Sequence, residues 1–119
     1  MQIAEAARAA GTTPRALRWY QQHGLLAPRR SPAGYRDYDE SAVQRVRHIR
    51  ELLSLGFTLA DVQTFVDVLD REIPTDFTQP GSPVCHLALE KARARLAALD
   101  ERIAAATHIR DRLAERLKD

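Results

Sequence analysis

Between Thr12 and Tyr38 the chain sets five arginines (Arg15, Arg18, Arg29, Arg30, Arg36) and four aromatic rings (Trp19, Tyr20, Tyr35, Tyr38). An arginine fork pairs with guanine O6 and N7 or clamps a phosphate, and a tyrosine or tryptophan adds a flat apolar ring with one polar atom. Arg15 and Arg18 are one helical turn apart, so both can enter the same major groove. Arg36, with Tyr35 and Tyr38 on either side in sequence, suits a loop that rests on a sugar-phosphate backbone. Arg29 and Arg30 add charge at the base of that loop. This is the chemistry of gripping a polyanion, not of making bonds. No Gly-rich phosphate loop, inward carboxylate pair or nucleophile–base–orienter set can be assembled, so an enzyme is not expected.

The surrounding elements must hold those side chains. Ile3, Ala6, Ala7 and Ala10 share one helix face, and Gly11 stops that helix. Thr13 offers an N-cap and Pro14 the favoured first position of a second helix, which runs to His23 and ends at Gly24. Only Gly11-Thr12-Thr13 separates the two, the short turn of a helix-turn-helix. Leu17 then faces the core, leaving Arg15 and Arg18 outside. Leu25 and Leu26 anchor the next segment, Pro28 prevents more helix, and residues 29–36 read as two short strands around a Pro/Gly turn. Asp39 caps a third helix carrying Val43, Val46, Ile49, Leu52 and Leu53, closed by Gly56. Thr58 to Asp61 resembles a capping box opening a fourth helix to about Leu69, with Val62, Phe65, Val66 and Leu69 buried.

Residues 71–82 hold two prolines and a glycine and read as a linker between a domain at 1–70 and a helix at 83–119. Ser82 caps that last helix and Pro83 begins it; about 35 residues span roughly 52 Å. Leu89, Ala92, Leu96, Leu99, Ile103, Ala106, Leu113 and Leu117 alternate three and four apart, with Arg110 the one intruder. A solitary helix would leave this stripe in water, so it predicts a dimer interface.

Composition limits the alternatives. The 119 residues are 45% apolar and 29% charged, and no run approaches the ~18 apolar residues of a membrane span. Met1 leads into an amphipathic helix instead of a signal sequence. One cysteine, Cys85, cannot form an intrachain disulfide, which suits a reducing cytoplasm. The net charge of +2 hides an asymmetry: residues 1–60 carry nine arginines against five acids, residues 61–119 nine Lys/Arg against eleven. A basic first half is the footprint expected of a DNA-contacting module.

Thr13, Arg15, Leu17, Arg18, Trp19 and Tyr20 match the pattern T-x-R-x-L-R-aromatic-Y; Gly24-Leu25-Leu26 follow, then Gly34-Tyr35-Arg36-Asp37-Tyr38 as G-Y-R-x-Y. Leu55 to Val62 match L-G-F-[ST]-L-x-[DE]-[VI]. In these motifs the chain resembles the MerR family of bacterial transcription regulators over nearly its whole length. The resemblance implies a mainly α fold: a winged helix-turn-helix with a small β-hairpin wing, then a long helix that forms an antiparallel coiled coil in a dimer. It implies a homodimer on an inverted-repeat promoter operator, in a bacterial cytoplasm at the nucleoid. Such regulators distort the promoter so that RNA polymerase can use it, in response to a signal that the sequence does not identify.

DNA contacts are then expected from Thr13, Arg15, Arg18, Trp19, Tyr20, Arg29, Arg30, Tyr35, Arg36 and Tyr38. The family analogy puts one of the Trp19 and Tyr20 rings in the core and turns the other toward the backbone. Trp19 stands where tyrosine or phenylalanine is more usual. Leu89, Leu96, Leu99, Ile103, Ala106, Leu113 and Leu117 are expected at the dimer seam. Cys85, third in the last helix, reads either as a sensing thiol or as a small inert one; no metal site and no cofactor are expected. A small-molecule effector would have to bind near the linker, where Ile73, Phe77 and Val84 either line a pocket or pin the linker. A coiled-coil adaptor and a non-specific nucleoid protein are the competing readings.

Overall fold

Capping chemistry, more than strand pairing, sets where this chain turns. The computed structural model describes residues 1–34, 36–66, 69–74, 76–78 and 83–118; of Arg36, Pro83, Val84 and Cys85 it describes the backbone. Helix α1 spans Ile3–Ala10 and α2 spans Pro14–Gln22; the hairpin strands are β1, Arg29–Arg30, and β2, Arg36–Asp37; α3 spans Glu40–Ser54, α4 Leu59–Thr64 and α5 Pro83–Arg116. The fold is mainly helical, as the sequence leads one to expect. It divides into two units, Met1–Phe77 and Thr78–Asp119.

In the first unit α1 ends in a Schellman motif. The Gly11 amide donates to the Arg8 carbonyl at 3.1 Å and the Thr12 amide to that of Ala7 at 2.8 Å. The same two-bond ending closes α2: Gly24 donates to Gln21 at 3.1 Å and Leu25 to Tyr20 at 2.9 Å. At the other end of α2, the Thr13 hydroxyl accepts from the Ala16 amide at 3.2 Å and Pro14 occupies the first turn. The Asp39 carboxylate accepts from the Ala42 amide at 2.9 Å and starts α3. His23 is the residue that ends α2, one position later than its last helical residue.

α3 is the central spine. Its Val43, Val46, Ile49 and Leu52 are buried with Leu17 of α2, Leu25, Val62 and Leu69. Its cations do a second job. Arg47 donates to the Ala9 carbonyl at 2.7 Å and Arg50 to that of Ala10 at 2.9 Å, satisfying acceptors that the end of α1 leaves open. Arg45 reaches three partners: Nε donates to the Leu25 carbonyl at 2.6 Å, Nη2 to the Val66 carbonyl at 3.2 Å, and Nη1 to Asp70 at 3.0 Å.

The fourth helix is shorter than its apolar spacing suggests. The reciprocal Thr58–Asp61 capping box is present, but α4 ends at Thr64. Thr64 turns its hydroxyl back onto the Asp61 carbonyl at 2.5 Å, a local bond that competes with helix continuation. Beyond it the carbonyls of Val66 and Leu69 are taken by Arg45 and His48 of α3. Phe65 and Leu69 are nevertheless buried, and Val66 partly so.

At Gly11 the backbone comes close to a side chain of α3. It sits at φ +74°, and a Cβ there would lie 2.9 Å from Nη1 of Arg50. Gly11→Ala would therefore force a left-handed alanine and push the guanidinium off the Ala10 carbonyl. We expect a stability loss of about 1–2 kcal/mol. An unchanged urea midpoint would show that neither strain is felt.

In the second unit, α5 is 34 residues long, Ala88 is buried and Leu89 and Ala92 are half-buried, while the large apolar residues from Leu96 onward are open to solvent in the single chain: Leu96 is 61% exposed, Ile103 63% and Leu113 61%. Ser82, expected to cap it, lies outside the described residues, as does much of the stretch read as a linker. No helix among the described residues is long and apolar enough to cross a membrane.

Candidate nucleic-acid interface

The buried and exposed faces of α2 decide what this helix can touch. Leu17 and Tyr20, three apart, point inward at 0% and 5% exposure. Arg15, Arg18 and Trp19 are left outside. With Thr13, Ala16 and Gln22 they line one open groove of about 550 Å³. The Thr13 hydroxyl oxygen is occupied as the helix cap, though the residue stays exposed.

The structure resolves the Trp19/Tyr20 ambiguity in favour of an outward indole. Trp19 is 45% exposed, whereas Tyr20 is in the core and has little surface to give a phosphate. The i, i+3 spacing from Leu17 carried that signal in the sequence. Burial pushes the Tyr20 hydroxyl above its ordinary pKa of 10.0, and the Arg50 charge only partly opposes it. A folded-state pKa raised in this way secures stability at neutral pH that is lost as pH climbs past about 10. Tyr20→Phe should therefore show a shallower alkaline fall in melting temperature than wild type; identical curves would remove Tyr20 as the cause.

Tyr38 is corrected from an expected interface residue to a supporting one. It is 0% exposed, and its hydroxyl accepts a hydrogen bond from Gln21 of α2. The end of the hairpin is thereby tied to α2. It is tied again where the Tyr38 amide donates to the Met1 carbonyl at 2.8 Å and the Met1 ammonium donates to the Tyr38 carbonyl at 2.9 Å. The ammonium also meets Asp37 at 2.7 Å, and that hydrogen bond raises its pKa above 8.0 against the opposing cost of desolvation. Gln21, Met1 and Asp37 were not singled out by spacing or motif, because their partners lie far along the chain.

In the hairpin, Arg29 is opposite Asp37 and Arg30 opposite Arg36. Arg29 and Arg30 are exposed. Tyr35 lies outside the described residues, and so do the side chains of Arg36 and Cys85. Among the described residues no group of three or more His, Cys, Asp or Glu is placed to hold a metal ion.

A three-residue turn between α1 and an exposed cationic α2, followed by a two-stranded hairpin, defines a winged helix-turn-helix protein. Two family models match: the MerR HTH family regulatory protein over residues 1–69 and the MerR, DNA-binding model over residues 43–116. The chain belongs to the MerR family, a family of regulators and not of enzymes. Nodulation protein NolA of Bradyrhizobium sp. (strain NC92) is 37% identical over 112 residues, which are 93% of this chain and 40% of that protein. The chain thus spans less than half the length of that relative. The lead(II) complex of the transcription regulator PbrR691 from Ralstonia metallidurans CH34 aligns with a TM-score of 0.77 at 25% identity, covering 97% of this chain and 84% of that one. HiNmlR, a MerR family regulator lacking the sensor domain and bound to promoter DNA, shares the fold at a TM-score of 0.55 and 23% identity, covering 98% of this chain and 86% of that one.

Proposed function

We propose that this protein is a sequence-specific transcription regulator that binds promoter DNA as a homodimer. The observation that carries this reading is the groove of α2, where Arg15, Arg18 and Trp19 stand exposed together on a helix braced by a buried core. Each protomer lays α2 in a major groove. Its wing, with Arg29, Arg30, Arg36 and Tyr35, sits on the adjoining backbone. The apolar stripe of α5, with Leu89 half-buried and Leu96, Leu99, Ile103, Ala106, Leu113 and Leu117 uncovered, pairs with that of a second copy in antiparallel fashion. Two heads at a fixed separation read an inverted repeat.

Acting on the promoter then consists of bending and untwisting DNA for RNA polymerase, at a cost on the order of a few kcal/mol. A signal would act by binding the distorting and relaxed states unequally. The setting for this is the bacterial cytoplasm.

Titration of a duplex at several salt concentrations tests the reading. About four neutralised phosphates per protomer would give a slope of log K on log salt of roughly −7. Arg36→Ala should weaken binding to all duplexes alike and flatten that slope by about two in the dimer, one per protomer. A loss confined to one base position would reassign Arg36 to base reading, and the absence of any salt-sensitive binding would overturn the function.

A further inference from the structure

The exposed indole of Trp19 has aromatic neighbours on its own helix and at its end. The His23 ring meets it edge-on, with centroids 5.2 Å apart and planes at 71°. His23 is itself pinned: its Nδ1 lies 2.8 Å from the Trp19 carbonyl, its amide donates to the same carbonyl at 3.2 Å, and Gln63 of α4 donates to its own carbonyl at 3.1 Å. Trp19 also has the buried Tyr20 beside it, ring centroids 6.1 Å apart. A large side chain 45% open to water, with two rings beside it, has fewer rotamers open to it before any partner arrives.

We propose that His23 is a positioning residue of the DNA interface, which holds the Trp19 indole in the orientation that meets the duplex. This rests on the interface reading given above. The indole face offers apolar contact to a deoxyribose or thymine methyl, and its N–H offers one donor to a phosphate oxygen. Ordering that ring beforehand removes an entropy cost from binding. His23 acts through Trp19 and not through charge, so its removal should lower affinity without changing the number of phosphates neutralised.

Trp19 is the sole tryptophan, so its fluorescence reports on this ring alone. The probe is a duplex selected by the wild-type protein from a randomised pool. His23→Ala should widen the fast motion of Trp19 in time-resolved anisotropy and weaken duplex binding by about three- to tenfold, with the salt slope unchanged. His23→Phe keeps an edge-on ring without the imidazole and should restore most of both. Three outcomes would overturn the inference while leaving the interface in place: anisotropy unchanged in His23→Ala, His23→Phe as weak as His23→Ala, or a salt slope reduced by about one phosphate per protomer. Wild-type protein that selects no duplex would overturn the interface reading itself, and this inference with it.

Discussion

Replacing Arg15 and Arg18 together with alanine should abolish sequence discrimination and leave the fold unharmed. Both side chains are exposed on α2, so neither supports the core. A bidentate arginine–guanine pair is worth about 1–3 kcal/mol of discrimination. Two such arginines lost from each half of a dimer remove at least about 4 kcal/mol, roughly a thousandfold in affinity for the preferred duplex. Binding to unrelated DNA should fall far less, since the wing keeps its arginines. A mobility-shift titration on both duplexes measures the ratio, and a melting curve matching wild type confirms the fold. Retained discrimination in the double variant would remove α2 as the reading element.

The second large effect is expected far from the DNA. Leu99 and Ile103 are 37% and 63% exposed in the single chain and stand four apart on the α5 stripe. Lysine at both positions would place four ammonium groups in an apolar seam between two copies, a burial that unpaired charge does not tolerate. The protein should sediment as a monomer. A monomer holds one half-site and loses the advantage of a tethered second contact, about a hundredfold to ten-thousandfold. Operator affinity should drop by that factor although every DNA-facing residue is intact. A variant that sediments as a dimer, or a monomer that binds as tightly as wild type, would break the link between the stripe and operator recognition.

Much of this molecule was legible in its residues because caps and turns are local chemistry. Thr13-Pro14, Asp39 and the Thr58–Asp61 pair each start a helix where the sequence places them, and Gly11, Gly24 and Gly56 follow helix ends. The cationic face of α2 was equally plain, since Leu17 fixes which side is inward. The fourth helix was less so. Its apolar spacing continues to Leu69, whereas α4 ends at Thr64, where the Thr64 back-bond competes with the helix and the Val66 carbonyl beyond it meets a donor from α3.

The sequence alone determined the order of elements, the basic exposed face of α2 and the apolar stripe of α5, because each follows from spacing within one segment. Tertiary structure decided the division of labour among the rings and the use of the α3 cations. Tyr38 is in the core with its hydroxyl on Gln21, and Arg45 joins the Leu25 carbonyl to that of Val66 and to Asp70. Tyr38 is 17 residues from Gln21, and the acceptors of Arg45 are 20 or more residues away along the chain. A hydrogen bond across that separation exists only once folding has brought both ends together, and no periodicity within one helix encodes where its partner will be.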